Sequence, residues 1–374
     1  MNFRAVPVFL VFLLMGVADA MAPLSSQVSQ NLKMAALMPF FVFTAFAVFS
    51  VPGGVMSARL GKKRTLLFGL TLCTAGVAVP TFFRPPLPLL LISITLLGAG
   101  TTLLQVAGNP IMRDVSPAGA YSRNLALAQG IKGVGSTASA FLVTAVTSIT
   151  VFSTMGWRGA FPIFFALMVL ALILVATLKI QETKAEAPSS ISSSLTLLRE
   201  PIFAQAVMGI FLYVGAEVCM ATYLKPFMAR FGMGERVAAL TGPTVFFACL
   251  TLGRLVAAGL KIPASYFFRV STGLGLAGLL CLTIGAKPLA LPGVILSGLG
   301  FANIWPMLFS LTVETKPECA SQLSGLMCMA ISGGALLPLV MGQLGGGELS
   351  ISFCVPLACF VYLSALSLMD WNVR

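Results

Sequence analysis

Apolar residues gather along the chain into long runs, separated by short polar or Gly/Pro-rich stretches. The runs lie near 5–24, 35–56, 65–83, 87–112, 124–148 and 159–178, and again near 201–224, 237–258, 266–285, 288–313, 320–343 and 349–369. Each is close to the roughly 20 apolar residues that a helix needs to cross a bilayer. The pattern predicts an all-α integral membrane protein with twelve transmembrane helices in two groups of six. The polar stretch between the groups, Lys179-Ile-Gln-Glu-Thr-Lys running into Ser-rich sequence, reads as a solvated linker. The expected organisation is a six-helix bundle over 1–178, a linker over 179–200 and a second bundle over 201–374.

The N-terminus imitates a signal peptide, with Arg4, an apolar run and then Ala18-Asp19-Ala20. The run continues past Asp19, however, and eleven further spans need a twelfth partner, so it is read as the first helix.

Composition agrees with the pattern. Of 374 residues, 58% are hydrophobic and 9% charged, against about 25% charged in soluble domains. A water-soluble globule is excluded, because so few charges cannot cover its surface. The net charge of +12 invites a nucleic-acid reading, but nearly all basic residues fall in short loops between apolar runs. With the N-terminus inside, 15 of the 23 Lys and Arg lie on the cytoplasmic side and 7 outside, leaving Lys132 within a span. The positive-inside rule then puts both termini in the cytoplasm, and no nucleic-acid partner is expected. Eight scattered cysteines form no CxxC pair and read as free thiols packed as small hydrophobes.

Missing chemistry narrows the function. The chain has no histidine, so carboxylates must carry any protons. The stretch ending Gly61-Lys62-Lys63 has Met56 where a phosphate loop has its first Gly and Lys63 where it has Ser/Thr. No metal-ligand cluster or nucleophile–His arrangement occurs. A transporter rather than an enzyme is expected, with no cofactor and no metal.

Lys, Asp or Glu at a helix centre costs about 2.5–3.5 kcal/mol on insertion scales, so such residues usually serve a pathway. Asp19, Lys132 and Glu217 qualify. Gln129, Lys132 and Ser136 form one polar stripe at helical spacing, and Gln105, Asn109 and Arg113 form another. Asp19 is the candidate proton carrier, Lys132 the cation that tunes it and Glu217 a second carrier. A carboxylate whose cation partner moves away during a transport cycle changes its proton affinity, which is what coupling requires. The bland alternative is a buried Asp19–Lys132 pair that only fixes helix packing.

One offset relates the two groups of helices. Asp19 and Glu217 differ by 217 − 19 = 198, Gln105 and Asn303 by 303 − 105 = 198, and Gly135 and Gly333 by 333 − 135 = 198. The pairs fall in the first, fourth and fifth helices of each half, which points to duplication.

Six-plus-six duplication is the plan of the major facilitator superfamily. The loop Gly54-Val-Met-Ser-Ala-Arg59-Leu-Gly61-Lys62-Lys63 resembles that superfamily's gate-loop motif G-x-x-x-D-R-x-G-R/K-R/K. Ala58 stands at the Asp position, so the carboxylate of the usual charge latch is absent, and Gly253-Arg254 is the remnant in the second half. Tyr213-Val-Gly-Ala-Glu217, Gly300-Phe-Ala-Asn303-Ile-Trp305-Pro306 and Ser324-Gly-Leu-Met-Cys resemble the fucose and glucose/galactose proton symporters. So do Gln105-Val-Ala-Gly-Asn109-Pro110 and Asn124-Leu-Ala-Leu-Ala-Gln129.

The resemblance implies a monomeric importer of a monosaccharide in the bacterial inner membrane, energised by protons. Its site is expected between the halves near the midplane. The branch's coupling Asp falls on Asp19, its sugar-recognising acid on Gln105 and a fifth-helix Asn on Lys132. The last two are departures: Gln105 cannot be an ionised acceptor, and Lys132 adds a cation. Amides suit sugar hydroxyls, and Gln105, Asn109, Gln129 and Asn303 supply them, with Trp305 as an aromatic face. Asn109-Pro110 has an alternative role in re-satisfying a kinked helix, and Trp305 one in plain packing. Two other readings stay open. One is an organic-anion or drug carrier in which Lys132 binds an acidic group, and the other a membrane sensor without flux. Sodium remains an alternative coupling ion.

Overall fold

Backbone amides and carbonyls in hydrocarbon have no water to bond, so a spanning chain satisfies them within helices. The computed structural model describes residues 6–17, 32–145, 155–178, 182, 190–344 and 349–371, and every regular element among them is helical. Among the described residues the twelve longest helical runs are α1 (Val6–Met15), α2 (Leu32–Leu60), α3 (Lys62–Phe82), α4 (Leu87–Val115), α5 (Tyr121–Ala145) and α6 (Gly156–Thr177) in the first half. The second half has α7 (Pro201–Ala229), α8 (Glu235–Gly259), α9 (Ala264–Ile284), α10 (Lys287–Thr315), α11 (Pro317–Leu344) and α12 (Leu349–Ser367). Ten of these are long and apolar enough to cross a membrane, α1 is shorter over its described residues, and α5 carries Lys132. Large apolar side chains such as Phe82, Ile284 and Leu339 are exposed, as lipid-facing positions require.

Four helices are interrupted, α12 at Phe353 between Leu349–Ser352 and Cys354–Ser367. Asn303 breaks α10 into Lys287–Ala302 and Ile304–Thr315, a short 3₁₀ stretch Ala330–Ser332 divides α11, and a π turn Leu240–Thr244 at Pro243 sits within α8. The Ser-rich end of the expected linker is not all solvated coil. Ile191–Thr196 is a short helix, because Ser190 and Ser193 cap each other's backbone N–H at 2.8 and 3.0 Å.

The chain forms two compact units. One holds 1–118, 131–195 and 318–329, and the other holds 119–130, 196–317 and 330–374. α5 and α11 therefore each divide between the two.

Within each unit one glycine contact repeats. A Cβ on Gly135 of α5 would collide with the Leu13 carbonyl of α1, and a Cβ on Gly333 of α11 would collide with the Phe211 carbonyl of α7. The partners are themselves 211 − 13 = 198 apart, the same offset as the glycines. The duplication is thus a packing geometry: first helix against fifth and seventh against eleventh, at a distance that only glycine permits.

The gate loop between α2 and α3 shows why its glycines are spaced as they are. Gly54 sits against the early part of α11, where a Cβ would lie 2.8 Å from the Ser321 carbonyl. Ser57 and Ser321 hydroxyls meet at 3.2 Å nearby. Gly61 takes φ +98° as the residue before α3, a conformation that side chains rarely adopt. The two free amides that follow, Lys62 and Lys63, donate to the Glu182 carboxylate at 2.6 and 2.9 Å, a helix N-terminus met by an anion. The Lys62 ammonium pairs with Asp114 at the end of α4, both side chains almost fully buried. With Ala58 lacking a charge, the loop is fastened through Lys62 and Glu182, while Arg59 is exposed.

The repeated glycine contact is testable. Gly135→Ala and Gly333→Ala should each destabilise the protein by about 1–3 kcal/mol, as overpacking does, read as a lower midpoint of thermal unfolding in detergent. Gly273→Ala, whose Cβ meets nothing within 4 Å, should leave the midpoint unchanged or raise it.

Candidate functional site

Two constellations of amide and charged side chains lie inside spans, one in each compact unit. In the first, α4 and α5 supply the side chains. Gln105 and Asn109 lie one helical turn apart on α4, and both are buried. From α5 the half-buried Lys132 ammonium donates to Gln105 Oε1 at 3.3 Å. Among the described residues no carboxylate comes within ion-pair distance of Lys132. Asn109 Nδ2 faces Cys328 Sγ at 4.0 Å. The Ser136 hydroxyl donates to the Lys132 carbonyl at 3.0 Å, which places Ser136 on the same stripe as the sequence spacing predicts. An amide acceptor beside a cation can receive a hydroxyl group or an acidic one.

Asp19, the first candidate for proton coupling, lies outside the described residues.

The second constellation surrounds the break in α10. Asn303 interrupts the helix, its Nδ2 donating to the Gly253 carbonyl of α8 at 3.2 Å. Asn303 Oδ1 is buried and has no hydrogen-bond partner among the described residues, and neither has Trp305 Nε1 two residues on. A buried polar atom without a partner costs about 1–3 kcal/mol, so an acceptor and a donor left this way two residues apart need a reason. One face of the Trp305 ring stacks on Phe309 with centroids 5.9 Å apart. The packing role of Trp305 is therefore real, and its indole N–H is the part that packing does not use.

Sequence reasoning passed over two residues here. Arg254, which the loop pattern assigns to the cytoplasmic charges, is buried in α8 rather than solvated in a loop. Its Nε donates to the Ala302 carbonyl at 3.0 Å, Nη1 to the Gln129 carbonyl at 3.3 Å and Nη2 to the Tyr213 hydroxyl at 3.2 Å. Tyr213 stands four residues before Glu217 on the same face of α7, close enough for its hydroxyl to interact with the Glu217 carboxylate. The i, i+4 spacing of Tyr213 and Glu217 was the available signal. For Arg254 it was a charge placed before the end of an apolar run. Gln129 is buried, and it joins this constellation through its backbone carbonyl. Glu314 is exposed at the far end of α10.

Among the described residues no group of three His, Cys, Asp or Glu side chains is placed to hold a metal, and the eight cysteines are free thiols. The arrangement can bind and exchange hydrogen bonds and protons within helices. Among the described residues it holds no nucleophile–base pair.

Comparison with known proteins agrees with this architecture. The Major Facilitator Superfamily profile matches residues 7–338. The glucose/galactose transporter of Brucella abortus is 28% identical over 373 residues, covering 94% of this chain and 89% of the relative. The L-fucose-proton symporter of Escherichia coli is 24% identical over 377 residues, covering 89% and 84%. The crystal structure of the transporter FucP in the outward conformation superposes with a TM-score of 0.85 at 20% identity, covering 98% of both chains. With its twelve-helix fold and its duplicated packing, the chain belongs to the Major Facilitator Superfamily.

Proposed function

We propose that this membrane transporter is a symporter that carries a neutral monosaccharide together with a proton by alternating access. The observation that carries the reading is the pair of unpartnered buried atoms at the α10 break, Asn303 Oδ1 and Trp305 Nε1. Sugar hydroxyls both donate and accept, so adjacent hydroxyls answer an acceptor and a donor set two residues apart. Relatives named for glucose/galactose transport and for L-fucose–proton symport support the same reading.

In this proposal Gln105, Asn109, Gln129, Asn303 and Trp305 bind sugar, and Asp19 and Glu217 load and release the proton. Lys132 sets the charge balance around Gln105. The gate loop Gly54, Arg59, Gly61, Lys62 and Lys63 belongs to the moving machinery at one membrane face. The distribution of basic residues supports cytoplasmic termini in a bacterial inner membrane, and the halves 1–178 and 201–374 move as bundles joined by the linker. The chain acts as a monomer.

A second reading has an observation of its own. Lys132 holds an amide and, among the described residues, no carboxylate, so an acidic group on the substrate would complete its pairing.

Two experiments test the proposal. In proteoliposomes, counterflow of labelled D-glucose, D-galactose or L-fucose should be inhibited by unlabelled neutral hexoses. Inhibition by sugar acids alone, with neutral hexoses inert, would replace the neutral-sugar reading by the acidic one. Trp305→Phe keeps the ring and removes the N–H. It should raise the sugar concentration for half-maximal counterflow roughly ten-fold, equivalent to a hydrogen bond worth about 1.4 kcal/mol. An unchanged half-saturation would remove Trp305 from the site.

A further inference from the structure

The buried guanidinium of Arg254 is the strongest feature of the second unit that sugar binding leaves unused. Each of its three nitrogens donates one bond, to two backbone carbonyls and one phenol, and among the described residues no carboxylate lies within ion-pair distance. A full charge is thus held among neutral acceptors inside an apolar helix, where a direct counter-charge would be the cheaper arrangement. The carboxylate nearest in the network is Glu217, and the Tyr213 hydroxyl stands between the two. That hydroxyl has one proton. It accepts from Arg254 Nη2, so its own proton is free to go to Glu217.

The other end of the guanidinium is equally specific. Ala302 is the last residue of the first segment of α10, and its carbonyl is one of those that the break at Asn303 leaves without an intrahelical partner. A cation at such a helix end is favourable. The next residue, Asn303, returns a bond to the Gly253 carbonyl, beside Arg254 in sequence. The backbone of α8 and the break in α10 are therefore tied by two reciprocal bonds, one of which ends on the charge that Tyr213 links to Glu217. The Tyr213 ring packs 5.9 Å from Phe301, just before the break.

We propose that Arg254 and Tyr213 are positioning residues that link protonation of Glu217 to the geometry of the α10 break, and so to the sugar contacts of Asn303 and Trp305. The link rests on the proton-symport reading above. While Glu217 is ionised, the phenol proton is drawn toward the carboxylate and the phenol oxygen is a strong acceptor for Arg254. When a proton from the aqueous phase binds the carboxylate, the phenol loses its charged acceptor and holds Arg254 more weakly. The guanidinium then leans on the Ala302 and Gln129 carbonyls. One protonation event is thereby transmitted along three side chains to the residues at the helix break, as a polarised hydrogen-bond chain allows.

The surroundings of Glu217 leave this route clear. The charged groups acting on Tyr213 are Glu217 and Arg254. On α7 itself the next charge, Lys225, is eight residues on, roughly 12 Å along the helix, and pairs with Glu235 at 3.4 Å. The described part of α11 that packs on α7, Ala330–Leu344, carries no ionisable side chain. α12 brings Cys354, Cys359 and Tyr362, the last donating to the Gln205 carbonyl at 3.1 Å. α10 contributes Lys287 and Glu314 near its two ends, and Arg199 and Arg236 lie beyond the ends of α7.

The test compares exchange with accumulation in proteoliposomes of the full chain, using labelled D-galactose, D-glucose and L-fucose. Tyr213→Phe keeps the ring and deletes the bridge. It should leave counterflow within about two-fold of the parent and lower accumulation driven by an imposed pH gradient about ten-fold or more. Glu217→Gln should give the same split, and the double variant should be no worse than Glu217→Gln alone. Arg254→Lys keeps the charge but not the fork, and should also lose accumulation before exchange. The inference is overturned if Tyr213→Phe accumulates sugar like the parent, if it loses exchange and accumulation equally, or if the two single losses multiply in the double variant. A parent protein that exchanges sugar yet accumulates none under a pH gradient overturns the proton-symport reading itself, and this inference with it.

Discussion

Inside a bilayer the surrounding hydrocarbon offers neither donor nor acceptor, so each polar group kept within a span must find its partner in the chain. This constraint organises the buried polar residues. Lys132 leans on Gln105, Lys62 on Asp114, and Arg254 on two carbonyls and a phenol. Asn303 satisfies its own break in α10 by turning its amide to Gly253. Against that background, Asn303 Oδ1 and Trp305 Nε1 are two of the buried atoms without partners among the described residues, and both lie at the break in α10.

The two halves share their packing and differ in their chemistry. Gly135 against Leu13 and Gly333 against Phe211 keep one 198-residue register, because close backbone approach leaves no room for a side chain to vary. The polar positions are not bound in this way. The first half sets an ammonium beside an amide on α4, whereas the second sets a guanidinium, a phenol and a carboxylate around a broken helix. A duplicated scaffold with divergent polar groups suits the proposed handling of a sugar and an ion together.

The fold was legible in the sequence because its cause is one-dimensional. Runs of about 20 apolar residues define helices regardless of what they touch, and the 198 offset survives wherever glycine is required. Several candidate site residues were legible for a similar reason: a charge or an amide within an apolar run is costly to insert and is kept where a pathway needs it. Partnerships were not. Arg254 looked like a loop charge because it lies five residues before the end of its helix, and only the neighbouring break in α10 and the Tyr213 hydroxyl give it a buried role. The replacement of the loop's missing Asp by Lys62–Asp114 and Glu182 could not be read either, since Asp114 and Glu182 are 52 and 120 residues away from Lys62. The helix Ile191–Thr196 was hidden by its composition, because serine disfavours helix interiors and Ser190 and Ser193 act here as caps.

The central claim is that the proposed coupling carboxylates, Asp19 and Glu217, make sugar movement and proton movement one event. The most direct measurement follows lumenal pH with a trapped fluorescent indicator in proteoliposomes, with membrane potential clamped and no pH gradient imposed, after an inward gradient of D-galactose, D-glucose or L-fucose is applied. The account predicts that the transported sugar acidifies the lumen, and that Asp19→Asn removes the acidification while sugar exchange persists. Sugar entry at constant lumenal pH, or entry that requires sodium instead, would contradict it.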